Sequence, residues 1–532
     1  MQTCAEETTA VIRQELTGFA ARIDASEIET VLSGGAGIAR IHGVEKRMAG
    51  ELPEVPHGVM TLALNLEEET ARGPGASDVR PRLAMLAMLL TLVAPAGTAH
   101  AQMGTTTPIC GDAVVQLGEE CDDGNQDDAD GCLRTCFRPV RFVASDPHIH
   151  GFGCGSGLSP DSLLALSSAR GTEVTAALVW GDGYEEDRRH FTGRDDPASS
   201  PGKLIHYDLE VSHFPAAKTG GHLLLLGLDS IEFSRDPFHS PRSGTLVLDW
   251  ALAQGPRVVA GMAHGGFWPS DGSFPIPPAG CCTPWGFAVE AVRGRLHFLE
   301  TELRGSGLPL DEGMLRLWKS VQNAGARVAL AGASDYPCLH HSLVSNTPRT
   351  DVIMDGEITY DRWLDALRQG RTTVAVGNDN QLNLRANGVG LGGEVAIARG
   401  DVVRLSVEGR AAIPYSVQIL ANGVPVGSVN LGAGIEATAV DLRLEKSAWI
   451  AVASPWAMTS PVYVMVDAQP IRGAPEDICY LIRYVGHVSG LLRSQRLNVG
   501  SGEELAYTLA AHAEAGTELV KRFGEAGGTT CP

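Results

Sequence analysis

Between residues 140 and 378 short apolar runs alternate with stretches of helical spacing. Phe142-Val143-Ala144 leads into Asp146-Pro147-His148-Ile149-His150. Runs at 174–179, 223–228, 258–263, 328–331 and 372–376 read as buried strands. Between them, 160–170, 245–254, 312–323 and 360–368 read as helices. The first of these has a capping Ser159 and Pro160 at its first turn. Repeated βα units of this kind imply an α/β fold with a mainly parallel sheet, closed or distorted into a barrel.

The flanks follow other patterns. Residues 379–470 alternate with period two around the turns Asn387-Gly388 and Asn422-Gly423, which describes a β-sandwich-like module. Residues 471–532 read as helices, with Leu481, Val485, Val488, Leu491 and Leu492 near helical spacing. Residues 1–71 begin with an amphipathic helix. Short strands follow, broken by Gly34-Gly35, Gly43 and Pro56-His57-Gly58, as in a small β-barrel. Residues 79–101 are different again. Arg80 and Arg82 precede an apolar run from 83 to 96, and Ala99-His100-Ala101 follow, the layout of a secretory signal peptide in an internal position. That places the part after residue 101 in a secreted or periplasmic setting, or in the cytoplasm if the upstream segment blocks export.

Composition narrows the function classes. The 532 residues carry a formal net charge of −21, so no basic field is present to bind nucleic acid. The run 83–96 is shorter than the ~20 residues of a membrane span. Ten of the 11 cysteines lie beyond residue 101, an even number suited to an oxidising compartment. Within 104–139, Cys110, Cys121, Cys132 and Cys136 fit two disulfides better than a zinc site, which prefers two close pairs. Asp122, Asp123, Asp127, Asp128 and Asp130 offer hard oxygen ligands to Ca²⁺, or form a solvated acidic turn.

The candidate chemistry falls at the carboxyl ends of the expected strands, where such folds gather functional groups. His148 and His150 are two apart at a strand exit, so both imidazoles face one side. His264 and Asp335 follow two other strands, Glu210 and His222 flank the run entering 223–228, and Asp182 follows Val179-Trp180-Gly181. Histidine and carboxylate donors without thiolate suit Zn²⁺, Mn²⁺ or Fe²⁺. Trp180, Phe267, Trp268 and Trp285 are candidates to line an apolar pocket or simply to pack the loops. Cys281 and Cys282 are adjacent, and each is expected to pair elsewhere, with Cys154 or Cys338 as candidates.

Three segments resemble known families. "SEIETVLSGGAGIARIHGVEKRMAGELPEVPHGVMTLALNLEEE" looks like the N-terminal β-barrel of the ATP synthase α subunit, without the Gly-rich loop ending in Gly-Lys-Thr or Ser that binds nucleotide. Residues 104–139 are similar to a cysteine-rich repeat of secreted myxobacterial and other bacterial proteins. The motifs "DPHIH", "DLEVSHFPAAKTGGHLLLLGL", "GMAHGG", "GASDYP" and "PRTDVIMDGEITYDRWLDALRQGRTTVAVGN" resemble the PHP (polymerase and histidinol phosphatase) metallohydrolases, most closely the carbaryl-hydrolase-like (CehA/McbA) branch, over about residues 140–470.

This last resemblance implies a PHP-like distorted (βα) barrel over 140–378. It makes His148 and His150 the first metal pair and Glu210 a bridging carboxylate, with His222, His264 and Asp335 as further ligands. Trp180-Gly181-Asp182 stands where the family often has Thr-Asp-His, and Asp335-Tyr336-Pro337 where it often ends on Asp-x-His, so Asp182, His340 or His341 would have to substitute. The implied activity is hydrolysis of an ester, amide or carbamate bond in a small molecule by metal-activated hydroxide. Asp335 or Asp182 would shuttle the proton. A PHP-type phosphoesterase, a non-enzymatic ATP synthase α-like assembly piece and a degenerate binding protein are the competing expectations. Metal identity and count, substrate and oligomeric state are left open.

Overall fold

In the computed structural model, placement is described for strand backbone at 30–35, 38–42, 54–55, 59–60 and 103–104, and for residues 111–113, 115, 119–212, 220–232, 243–263, 273–274, 283–301, 312–338, 347–377 and 380–531. The chain divides into two compact units, Met1–Ala96 and Gly97–Pro532. In the first, β1 (Thr30–Gly35) and β2 (Ile38–His42) form an antiparallel hairpin, and β3 (Glu54–Val55) pairs with β4 (Val59–Met60). Most of the expected small barrel and the signal-like run 79–101 lie outside the described residues.

The second unit opens with β5 (Met103–Gly104). Its strands then run β6 (Phe142–Ile149), β7 (Val174–Val179), β8 (Leu204–Val211), β9 (Leu223–Leu226), β10 (Val259–Met262), β11 (Phe298–Thr301), β12 (Ala329–Gly332), β13 (Pro348–Ile353) and β14 (Thr372–Val376). Nine more follow: β15 (Gln381–Ala386), β16 (Glu394–Ile397), β17 (Val402–Ala411), β18 (Tyr415–Ala421), β19 (Val424–Leu431), β20 (Gly434–Arg443), β21 (Ala448–Ala453), β22 (Ala457–Thr459) and β23 (Val462–Val466). The helices are α1 (Pro160–Ala169), α2 (Tyr184–Asp187), α3 (Gly244–Ala253), α4 (Phe287–Val292), α5 (Glu312–Asn323), α6 (Tyr360–Arg368), α7 (Pro475–Arg493) and α8 (Gly502–Glu525).

These elements correct the expected fold. They form a mostly β molecule, a large curled mixed sheet with a smaller four-stranded one, and not a PHP-like distorted (βα) barrel. The large sheet runs β12-β11-β10-β9-β8-β7-β6-β13-β14-β22-β21-β18-β19. Parallel pairing joins β6-β7-β8, β10-β11-β12 and, off this path, β16-β23, with β9 antiparallel to both neighbours and β13 antiparallel to both of its own. The reason at β9 is length: the connection 212–222 is too short for a crossover helix, so the chain turns back. The sheet also does not close through a ladder among the described residues. Hydroxyls make the seam: Thr350 Oγ1 accepts the Gly332 N–H (2.9 Å) and donates to its carbonyl (2.8 Å). Ser460 Oγ likewise accepts the Leu330 N–H (2.9 Å). The outcome is a half-barrel whose free edge is capped by side chains.

Alternation sorts the strand residues onto two faces. Leu204, Leu224, Leu226, Phe298 and Ala331 turn inward onto Tyr360, Trp363, Leu364 and Leu367 of α6, which fills the half-barrel. Tyr207, Leu209, Leu225 and Val179 turn outward, under α1, α3, α4, α5, α7 and α8. The expected sandwich is not self-contained. The sheet β15-β17-β20-β5 packs over β18, β21 and β23, which belong to the large sheet.

The cysteine-rich segment rests on the same sheets. A Cys121–Cys132 disulfide braces it, Asp128 Oδ2 accepts the Ala437 N–H (3.0 Å), and Thr135 and Ser406 share a hydroxyl hydrogen bond (2.9 Å). A further disulfide, Cys479–Cys531, ties the chain end to α7. No helix of the described residues is long and apolar enough to cross a membrane.

Candidate metal centre

At the carboxyl end of the half-barrel the inward-facing positions are ionisable, as His206 and Asp208 of β8 already are farther in. Glu210 continues the face of Leu204, His222 that of Leu224, and Glu300 that of Phe298. A register shift between Asp146 and Ile149 bends the exit of β6. There Asp146 Oδ1 accepts the N–H groups of His148 (3.3 Å) and Ser334 (3.1 Å), so one buried carboxylate holds the backbone of two ligand-bearing segments. Arg170 neutralises it at 2.9 Å. Two further bonds, Asp335 N–H to the His148 carbonyl (2.9 Å) and His150 N–H to the Tyr336 carbonyl (2.8 Å), lock the segments together.

The side chains then converge. His148 Nε2 lies 3.2 Å from His150 Nε2 and 3.1 Å from Glu210 Oε2, and His150 Nε2 is 3.3 Å from that oxygen. On the same His148–His150 edge, Asp335 Oδ1 is 3.2 Å from both nitrogens. All four residues are buried.

The candidate ligands are oriented from behind. His148 Nδ1 meets Glu300 Oε2 at 2.7 Å, His150 Nδ1 meets the Leu178 carbonyl at 3.0 Å, and His222 Nδ1 meets Glu210 Oε1 at 2.6 Å. Outer partners of this kind fix the tautomer and leave Nε2 as the inward donor.

The donor set fits a small divalent cation. A triangle with sides of 3.1–3.3 Å has its centre about 1.9 Å from each corner, so a point just above the plane stands ~2.0–2.1 Å from all three atoms. That is the length of Zn–N and Zn–O bonds.

Electrostatics agree with the geometry. Burial alone would lower the His148 imidazole, but Asp335, Glu300 and Glu210 outweigh it and hold it well above its usual value. Burial opposes charge on His150 too, yet Asp335 and Glu210 raise it to about 9. Burial also disfavours the Glu210 carboxylate, but His222, His148 and His150 keep it well below the usual range. The pocket therefore attracts positive charge, which a bound cation supplies in place of protons.

Of the residues singled out in the sequence, His148, His150, Glu210, His222 and Asp335 come together here, and His264 lies outside the described residues. Outside them too are His340, His341, Phe267, Trp268, Cys281 and Cys282. Asp182 is exposed, and its Oδ1 accepts the Cys154 N–H (2.8 Å). Trp180 stands beside His150, ring centroids 5.5 Å apart, whereas Trp285 is buried near His512 on α8.

Cys154 and Cys338 pair with each other, not with the 281–282 pair. Acids of the cysteine-rich segment already have partners, Asp128 also across to Ala437. Asp122 Oδ1 accepts the Gly124 N–H at 2.9 Å and the Ala113 N–H at 3.0 Å, and Asp128 pairs with Arg134 at 2.8 Å.

Three buried groups were not foreseen. Glu300 sits in a four-residue strand whose one charged position is the only signal. Asp146 stands in "DPHIH", where the two histidines alone suggest chemistry. Asp187 of α2 is fully buried beside the Phe152 N–H, and burial pushes its carboxyl up to about 6.

Two similarities to known proteins are local. A family model for a domain of unknown function, DUF4215, matches residues 101–137. A stretch of 123 residues is 37% identical to the ATP synthase subunit alpha of Desulfotalea psychrophila (strain LSv54 / DSM 12343), covering 22% of this chain. The chain spans about a quarter (24%) of that relative's length. The DUF4215 match ends before His148, so the cysteine-rich segment is similar to a known domain and the candidate metal residues lie outside it.

Proposed function

We propose that this protein is a metal-dependent hydrolase acting on an ester, amide or carbamate bond of a small molecule. The observation that carries the reading is the convergence of His148 Nε2, His150 Nε2 and Glu210 Oε2, with Asp335 Oδ1 on the shared edge. A divalent cation of the Zn²⁺, Mn²⁺ or Fe²⁺ class bound there supplies Lewis acidity and lowers the pKa of water from ~15.7 towards ~7.

The chain's own residues do the rest. Glu300 and the Leu178 carbonyl keep both imidazoles aimed inward. His222 holds one oxygen of Glu210 and thereby fixes the other. Asp335, at the end of the half-barrel, would take a proton from the nucleophile and return it to the leaving group. The cluster is built of acids and imidazoles, a shell that favours a neutral carbonyl substrate over a dianionic phosphate ester. The tilted Trp180 ring beside His150 offers an apolar wall for such a substrate.

Metal analysis of the full chain tests the reading. About one divalent ion per chain is expected, together with hydrolysis of p-nitrophenyl esters or aryl carbamates that EDTA abolishes. His148→Ala combined with His150→Ala should remove both. Less than about 0.3 ion per chain, unchanged by that double substitution, would sink the proposal. Activity confined to phosphate monoesters would replace the substrate class while keeping the centre.

A further inference from the structure

The Cys154–Cys338 disulfide stands at the rim of the metal centre. Cys154 follows His150 by four residues and Cys338 follows Asp335 by three, so the bridge joins the two ligand-bearing segments across 184 residues of sequence. The placement is closer than sequence distance requires. Cys338 Sγ lies within 4.8 Å of a ring nitrogen of His150 and a carboxylate oxygen of Asp335, in a group of three donor atoms able to hold one ion. Both half-cystines are only partly buried, so a reductant can reach them. While the bridge is closed, the sulfur has no thiolate to give.

We propose that Cys338 is a latent thiolate ligand of this centre, and that the redox state of the Cys154–Cys338 pair switches the donor set. Closed, the pair leaves nitrogen and oxygen ligands alone; open, it adds sulfur. The inference rests on the metal-centre reading above.

The chemistry balances with a dithiol as reductant. Its two thiols give two electrons and two protons to the S–S bond, which breaks into two cysteine thiols while the dithiol closes to its own disulfide. Cys338 then releases its proton to solvent on binding the cation, since the thiolate is the ligand form. A soft donor shifts preference towards zinc and away from manganese. It also occupies a position that a catalytic site keeps open, so hydrolysis should slow as the pair is reduced.

Co²⁺ is the probe, because thiolate ligation gives it a near-ultraviolet charge-transfer band that nitrogen and oxygen ligands do not. Oxidised full-length protein should bind Co²⁺ without the band. Cys154→Ser, which frees Cys338 alone, should show it, and so should the wild-type protein treated with a phosphine reductant. Cys154→Ser with Cys338→Ser should bind Co²⁺ and lack it. The phosphine also opens Cys121–Cys132 and Cys479–Cys531, so the single substitution isolates the effect, and the reduced wild-type protein serves if that variant fails to fold. Binding without the band in both Cys154→Ser and reduced protein overturns the proposal and leaves the metal centre standing. No Co²⁺ bound by the oxidised protein overturns the metal centre itself.

Discussion

His148 does two things with one ring: Nε2 faces the cluster and Nδ1 meets Glu300 at 2.7 Å. Truncating the ring removes a ligand, whereas altering Glu300 tests orientation alone. Glu300→Gln keeps the volume and an acceptor oxygen but removes the negative charge behind the imidazole. Metal affinity, measured by competition with a chelator, should fall about 10–100-fold with little change in thermal unfolding. Unchanged affinity would mean that Glu300 is filler.

At this scale the sequence was informative where a residue type is rare and its spacing tells. The His-x-His pair at a strand exit needed no fold to be noticed. Asp182 looked similar on paper, at the end of an apolar run, yet its carboxylate is spent on the Cys154 N–H. Strand-end acids cap backbone amides as readily as they bind ions, and a single sequence does not separate the two uses.

Elements were legible when their pattern was long enough. The helices Glu312–Asn323 and Tyr360–Arg368 have the expected bounds, and the Thr359 hydroxyl caps the second by accepting the Arg362 N–H (3.3 Å). Strand direction was not legible, because alternation is the same in parallel and antiparallel pairs. β8, β11 and β13 escaped notice altogether, and two of them carry Glu210 and Glu300.

The element scale also sets a pH dependence. Glu408 on β17 is buried under the cysteine-rich segment, where its Oε1 accepts the Val140 N–H (3.0 Å) and its Oε2 the Asn383 amide (3.1 Å). Burial pushes its carboxyl up to about 7, against the pull of Asn383 and Arg385. A raised folded-state pKa means that stability is fully present below the unfolded value near ~4.3 and is lost as pH rises towards 7, by about 3 kcal/mol at most. Urea unfolding should therefore show a smaller drop in stability between pH 5 and pH 8 in Glu408→Gln than in the parent. Equal drops would show that Glu408 ionises freely in the folded protein.

The second unit is built on a half-barrel whose edge is sealed by Thr350 and Ser460 hydroxyls, with α6 inside and other helices outside. Nothing local announces that seam. Ser460 lies 130 residues along the chain from its partner in β12 and Thr350 18 residues, and the partners are backbone groups that any sequence offers. The resemblance to a (βα) barrel captured the strand ends and misjudged how the sheet continues, since β14 leads on into β22 and β21 where closure was expected. The side chains of His148, His150, Glu210 and Asp335 still meet because their meeting depends on which strands are neighbours at one end.

Under the proposed function, metal and global stability should be coupled. His148, Glu210, Glu300 and Asp335 come from four separate segments, so the unfolded chain has no such cluster and a cation held there would bind the folded state alone. With free metal at 100-fold its dissociation constant, stability should rise by ~2.7 kcal/mol. Calorimetry of the full chain should show the main unfolding transition move up with Zn²⁺ or Mn²⁺ and return when a chelator is added. His148→Ala with His150→Ala should abolish the response even though the variant keeps its other acids. The net charge of −21 makes that control decisive. If diffuse attraction to an acidic surface caused the shift, the variant would show it equally, and added monovalent salt would erase it in both.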